Sequence, residues 1–146
     1  MKHLLAPVPA DHLPDALRVG AEQGSVLLGS NQFELLMRLR GQAVTVWLVA
    51  STGYLKAGVV PPVNIGKVLA RGRFVDYEEA DRRGRPKRPG LRPPSTAGDG
   101  AWHMFYEVAD LEEVTPPIPS ASLRAAGGGH IEVAPHMLLL IEAPSR

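Results

Sequence analysis

The chain is 146 residues long, with 15 Gly, 14 Pro and no Cys, and 45% of its residues are apolar. That length suits one domain with one core, and the missing Cys excludes a disulfide scaffold, a Cys-built zinc or iron–sulfur site and a thiol nucleophile. The net charge of +1 hides an uneven distribution: Arg82, Arg83, Arg85, Lys87, Arg88 and Arg92 put six positive charges and no acid into eleven residues, leaving −5 on the other 135.

His3 to Val8 reads as a first strand, ended by Pro7 and Pro9. This N-terminal stretch lacks the apolar run of a secretory signal. Pro14 suits the first turn of a helix through about Glu22, with Leu13, Ala16 and Leu17 on one face and Gly24 as its stop. Ser25 to Gly29 is short and apolar, the pattern of a buried strand. Asn31-Gln32-Phe33-Glu34 has capping-box spacing, with Asn31 as the cap of a helix over residues 32 to 40 that ends at Gly41.

Ala43 to Ala50 is the strongest strand, rich in β-branched residues and bounded by Gly41 and Gly53. Ser51 to Asn64 reads as a loop. Ile65 to Val75 alternates, with Ile65, Lys67 and Leu69 opposed to Gly66, Val68 and Ala70. Gly72 marks a bulge or a close backbone approach. Glu78 to Gly100 is rich in Pro, Gly and charge and nearly devoid of apolar residues. It reads as a flexible basic insertion, outside the core, within a single domain spanning 1–146.

Trp102 to Val108 returns to strand composition. Alternation sets Trp102, Met104 and Tyr106 on one face and His103 and Phe105 on the other, one face for core and one free to line a pocket. Asp110 to Pro119 is extended, with Pro116, Pro117 and Pro119 restricting it to an edge. Ser120 caps a single helical turn, Gly127 to Gly129 form a flexible turn, and His130 to Val133 and His136 to Glu142 close the chain as strands. Met137 to Ile141 is too short an apolar run to span a bilayer. The sum is an α+β domain of five to seven short strands with peripheral short helices, best arranged as a compact β-barrel, soluble and cytoplasmic.

Chemistry-bearing motifs are sparse. The five His residues show no metal-ligand spacing, no Gly-x-Ser-x-Gly elbow occurs, and Gly127-Gly128-Gly129 is followed by neither Lys-Ser/Thr nor a helix entry. No metal and no cofactor are expected. The basic segment is the one unusual feature. Read functionally, it lies along phosphates, joined by Arg71 and Arg73; read structurally, it is a solvated loop. Six neutralised phosphates imply a log–log salt slope of roughly −5 on duplex DNA. Aromatics are few, and Tyr54, on the loop after the main strand, is the one least suited to a core.

In order along the chain, four features carry a resemblance. They are Ser30-Asn31-Gln32-Phe33-Glu34 opening a helix, Gly41 to Val49 as a glycine turn and strand with Gln42 where Asp is usual, Ile65 to Phe74 as the next strand, and Phe105 to Val108 followed by Leu111 and Pro116-Pro117-Ile118-Pro119. Together, over about residues 25 to 142, this order resembles the PUA-like superfamily, in particular its EVE and ASCH-type domains. The ASCH signature G-x-K-x-x-E-x-R is absent, since Gly66 and Lys67 are adjacent. The resemblance implies a small open barrel that holds one flipped or single-stranded base, plain or modified, with a basic rim on the backbone. It makes Ser30, Asn31, Trp47, Tyr54 and Trp102 pocket candidates, and Arg71, Arg73, Arg82, Arg83, Arg85, Lys87, Arg88 and Arg92 phosphate contacts. The expected function is a non-enzymatic module binding DNA or RNA. Its rivals are a nucleoside or nucleic-acid hydrolase using Lys67 and Glu107 as acid–base groups, and a protein-interaction domain with Pro-rich docking segments.

Overall fold

A computed structural model describes residues 1–52, 64–96, 102–131 and 137–145. These residues form a mixed α+β fold with one six-stranded sheet and two α-helices. The elements are β1 (Lys2–Pro9), α1 (Leu13–Gln23), β2 (Ser25–Ser30), α2 (Phe33–Leu39), β3 (Val44–Ser51), β4 (Lys67–Glu79), β5 (Met104–Pro119) and β6 (Leu139–Ile141). The sheet order is β2-β5-β4-β3-β1-β6. The β1–β3 pair is parallel and the other pairs are antiparallel.

Both sheet faces are covered, which explains why β3 reads as a continuous apolar run and not as an alternation. Leu4, Ala6, Val46 and Leu48 enter one cluster with Val26, Leu28, Phe74 and Tyr106. Leu5, Trp47 and Val49 enter a second cluster, closed by Val114, Ile118, Leu123 and Ile131. The first cluster draws on β1 through β5, both helices and Leu138.

The helices form where capping and patterning expect them, with one exchange of roles. α1 carries Pro14 at its start and ends at Gly24, whose φ of +86° is a left-handed conformation that glycine adopts without strain. Its buried face is Leu13, Ala16, Val19 and Gly20. The cap of α2 is Gln32, not Asn31, and no side chain caps it. Asn31 is engaged elsewhere: its Oδ1 accepts the His103 N–H at 2.8 Å. The helical turn expected after Ser120 is a single 3-10 turn, Ser120–Ser122.

β5 is one strand of 16 residues where two extended pieces were expected. Its pairing with β2 ends at Ser25–Ala109, so beyond the Asp110 N–H, which reaches the Gly24 carbonyl at 3.3 Å, β5 has β4 as its one strand neighbour. Pro116 and Pro117 fall in the register break between the Ala70–Glu113 and Val68–Ile118 pairs, and Pro119 at the last pair of the ladder, places where a missing N–H is tolerated. On β4 the expected alternation breaks. Val68 joins the second cluster and Ala70 the first, because the register shifts between them. Such a bulge inserts one residue and reverses the facing of everything beyond it.

The basic segment is folded back onto the sheet instead of standing outside the core. Its 3-10 turn Pro89–Leu91 lies against α1 and β2. Arg92 is buried, with its guanidinium 5.1 Å from the Phe105 ring centroid. Ser95 is tied to α1 through its N–H to Asp15 (2.9 Å) and through its Oγ to His12 Nδ1 (3.0 Å). This corrects the two-face reading of the strand after Trp102. Met104, Phe105 and Tyr106 are all buried, so no free face lines a pocket there.

The two edge strands, β2 and β6, are linked by one side chain. Gln32, just past β2, donates from Nε2 to the Leu138 carbonyl at 3.0 Å, and its Oε1 accepts the Leu138 N–H at 2.6 Å. The amide thus occupies the place of a β-bridge. Gln32→Ala orphans both backbone groups of Leu138, a loss of about 2 kcal/mol. The expected outcome in a thermal melt is a Tm lower by roughly 4–8 °C. Glu34→Ala, on the exposed side of α2, shifts it by less than about 2 °C.

Candidate nucleic-acid interface

The candidate residues gather in two places, not one. The first is the end of the sheet where β2 stops, β5 begins and β4 stops, in the row Ser30–Met104–Glu79. His103 organises it. Its N–H donates to Asn31 Oδ1 and its carbonyl accepts the Ala80 N–H at 2.9 Å. The ladder is thereby extended one step beyond the strands by a side-chain amide on one flank and a backbone amide on the other. Asn31 is exposed and Trp102 is half-buried. The Trp102 indole lies over Gly29, where a Cβ would stand only 2.5 Å from the ring. Only glycine leaves room for that approach. Ser30 is buried, and its Oγ accepts the Gln32 N–H at 3.1 Å; its place is in the chain turn, not on the surface.

The basic turn starts one residue past Ala80. Asp81 Oδ1 accepts the N–H groups of Arg83 (2.8 Å) and Arg85 (2.9 Å), and the Asp81 carbonyl accepts the Gly84 N–H at 3.0 Å. Short Asp side chains stabilise turns in this way. The six cations then divide by partner. Arg88 donates to Glu78 Oε1 (3.0 Å) and Glu107 Oε1 (2.8 Å), both largely buried carboxylates on the sheet. Arg85 faces Asp81 at 3.5 Å. Arg92 donates to Thr96 Oγ1 and to its carbonyl. The side chains of Arg82, Arg83 and Lys87 are exposed and face no acid among the described residues. Three cations therefore remain for an external anion.

The second place holds Trp47, Arg71 and Arg73. Trp47 pairs with Arg71 across β3–β4, whereas Gly29, under Trp102, aligns through Phe105 with Glu78. Seven residues of β4 separate the two, about 23 Å of strand. Arg71 is paired with Glu112, and Arg73 Nε donates to Asp110 Oδ2 at 3.1 Å. Trp47 is buried, donates from Nε1 to His3 Nδ1 at 3.1 Å, and lies 5.7 Å below the Arg71 guanidinium. The residues expected to share one base pocket are thus split between two ends of β4, and Tyr54 lies outside the described residues.

The acid–base pair of the hydrolase reading is also divided. Lys67 opens β4 opposite Pro119, and Glu107 sits opposite Asp76, nine residues further on. Glu107 is occupied by Ser25 Oγ at 2.8 Å and by Arg88. Among the described residues no three His, Asp or Glu side chains gather to hold a metal, and no helix is long and apolar enough to cross a membrane. His136 lies outside the described residues.

Sequence reading missed three residues beside the first place. The Arg40 guanidinium lies 3.9 Å from the Tyr77 ring centroid, and Phe33, 41% exposed, meets Tyr77 edge-on at 6.0 Å. Phe33 and Arg40 are seven apart on the α2 side, a one-face spacing visible in the sequence; their meeting with Tyr77 depends on long-range packing. Arg40 also pairs with Asp76 at 2.7 Å. Burial alone would raise the Asp76 carboxyl, but the bonds from Arg40 and the Tyr77 N–H hold it below the usual range.

The backbone N–H groups of Arg85 and then Arg83 hold the Asp81 carboxyl below the ordinary value. A lowered carboxyl pKa stabilises the turn at neutral pH and surrenders that contribution as pH falls through the folded value. In an NMR titration the Arg83 and Arg85 amide protons are expected to move together, with a midpoint below about 3.9. Asp81→Asn removes that transition. Compared with known proteins, the chain matches no family model, no curated protein and no solved structure.

Proposed function

We propose that the chain is a cytoplasmic, non-enzymatic module that binds a nucleic-acid strand at the β2–β5–β4 end of its sheet. The observation that carries this reading is the His103 backbone held between Asn31 and Ala80. It sets an exposed amide and an indole beside a turn with three cations that face no acid among the described residues. The sheet is read as a small open barrel of the PUA-like kind, supported by the Gln32 amide spanning its two edges and by a core cluster drawn from five strands.

The division of labour follows from side-chain chemistry. Arg82, Arg83 and Lys87 contact backbone phosphates, because neutralising them on a strand breaks no ion pair among the described residues. Arg85 and Arg88 keep their carboxylates. A base, plain or modified, lies against the free face of Trp102 with the Asn31 amide at its edge, the stacking and edge contacts by which single strands are read. Three phosphates in place of six lower the expected salt slope to about −2 on a single strand.

The test is fluorescence anisotropy with labelled single-stranded DNA and RNA between 50 and 200 mM salt. Binding with a log–log slope near −2 is expected. The triple variant Arg82→Ala, Arg83→Ala, Lys87→Ala should flatten the slope and leave the Tm unchanged, since none of the three has an acidic partner among the described residues. Trp102→Ala should weaken binding by about tenfold or more at constant slope. No binding of either strand at 50 mM salt overturns the proposal.

A further inference from the structure

The cleft around Arg73 is left unused by that function. It has a volume of about 270 Å³ and is lined by Thr45, Trp47, Arg71, Gly72 and Glu112 in addition to His3, Arg73 and Asp110. Several independent features converge on it. Against β5 the register shifts between Arg71 and Arg73, with the extra residue on β5 between Ala109 and Glu112, the kind of bulge that re-aims side chains. Gly72 stands where a Cβ would meet the Ala109 carbonyl oxygen at 2.7 Å and a Val108 methyl at 2.6 Å, so the backbones of β4 and β5 approach as only glycine permits. Asp110 holds a φ of +55°, a left-handed conformation that costs a non-glycine residue free energy. That conformation delivers its carboxylate to Arg73.

The electrostatics narrow the ligand. Two guanidinium groups and two carboxylates balance each other. His3 adds no charge, because its Nδ1 accepts the Trp47 N–H and burial, then the N-terminal ammonium, keeps its pKa low. A cleft with no net charge but alternating strong donors and acceptors suits a neutral planar molecule whose edge alternates in the same way. Arg71, fixed by Glu112 over the Trp47 ring, offers a flat guanidinium to stack on. Arg73 uses its Nε for Asp110, which leaves its terminal amines to grip a pair of acceptors. Asp110 retains an oxygen for adjacent donors. Guanine presents that order: O6 and N7 accept from an arginine fork, and N1–H and the 2-amino group next to them donate to a carboxylate. Adenine shows a donor where guanine has O6, and so sets N–H against N–H.

We propose that this cleft is a guanine-binding site, with Arg73 and Asp110 reading the base edge and Arg71 stacking on the ring. In part this rests on the reading of the chain as a nucleic-acid binder, since the same base reaches the cleft either as a free nucleotide or within a strand.

The experiment is an NMR titration of the isotope-labelled full chain with GMP, AMP, IMP and 7-deaza-GMP, followed at the Trp47 indole N–H, the Arg73 Nε–H and the Asp110 amide. GMP should shift all three signals and bind at least about tenfold more tightly than AMP. IMP, which lacks the 2-amino group, and 7-deaza-GMP, which lacks N7, should each bind more weakly than GMP. Arg73→Lys keeps the charge, loses the fork and sits on an exposed side chain, so it should abolish the preference in a folded protein. The Arg82/Arg83/Lys87 triple alanine variant should bind GMP as the parent does. Equal affinities for GMP and AMP, or shifts confined to other residues, overturn the proposal even where oligonucleotides bind through the basic turn. GMP binding in the cleft, with no oligonucleotide binding at 50 mM salt, upholds it as a free-nucleotide site while the strand-binding function falls. A preference for G-containing oligonucleotides that Arg73→Lys removes upholds it for a strand.

Discussion

The pairing of β4 with β5 is the constraint on which both candidate sites depend. β4 is paired on both sides, to β3 and to β5, and its ladder with β5 runs from Lys67–Pro119 to Glu79–Met104. One end carries Asn31, Trp102 and the basic turn; the other half carries Trp47, Arg71 and Arg73. Three register shifts interrupt the ladder. The shifts add local twist, and the one between Val68 and Ala70 changes which residues face the core. Without it Val68, Ala70 and Phe74 would share one face, and without the extra β5 residue opposite Arg71 and Arg73, Asp110 and Glu112 would have no neighbouring register break to aim them at those arginines.

The ends of a sheet pose a backbone problem, since unpaired N–H and C=O groups there must find partners. This chain meets it with consecutive side-chain amides. Asn31 completes the N–H of His103, and Gln32 completes both groups of Leu138. Two residues in sequence thus fasten β2 to the start of β5 and to the approach of β6. The Asn31 bond fixes the flank on which Trp102 stands, so stability and presentation of the indole share one residue. Trp102 itself is placed by what Gly29 lacks.

Local signals in the sequence located most elements to within a residue or two. Pro14 and Gly24 bracketed α1, the β-branched run from Val44 marked β3, and Gly72 did mark a close approach. What stayed hidden depends on residues far apart in the chain. The capping-box spacing of Asn31 and Glu34 was genuine as a pattern, yet Asn31 spends its oxygen on His103, 72 positions away. The run from Glu78 to Gly100, described as far as Thr96, looked unable to join a core because it has few apolar side chains. It joins through Arg92 over Phe105 and through Asp15 at the Ser95 N–H. The candidate pocket failed to assemble for the same reason. Composition can nominate Trp47 and Trp102 together, but only strand order and register set the distance between them.

Charge shows the same difference between inventory and arrangement. Arg88 sits between Glu78 and Glu107, whose side chains are 11% and 13% exposed. Removing Arg88 to serve a phosphate would leave two carboxylates close together and nearly out of water, an unfavourable state for both. Arg71 and Arg73 pair with the exposed acids Glu112 and Asp110, and exposed pairs of that kind hold at most about 1 kcal/mol. They can exchange partners at little cost. Arg82, Arg83 and Lys87 have no acid to give up among the described residues. The three groups therefore differ in what they can offer a ligand: Arg88 secures the strap to the sheet, Arg71 and Arg73 can share their donors with a neutral edge, and the turn is open to an anion. The formal +6 of the segment was a count of residues, whereas the charge a partner meets is set by which carboxylates the fold has already placed beside them.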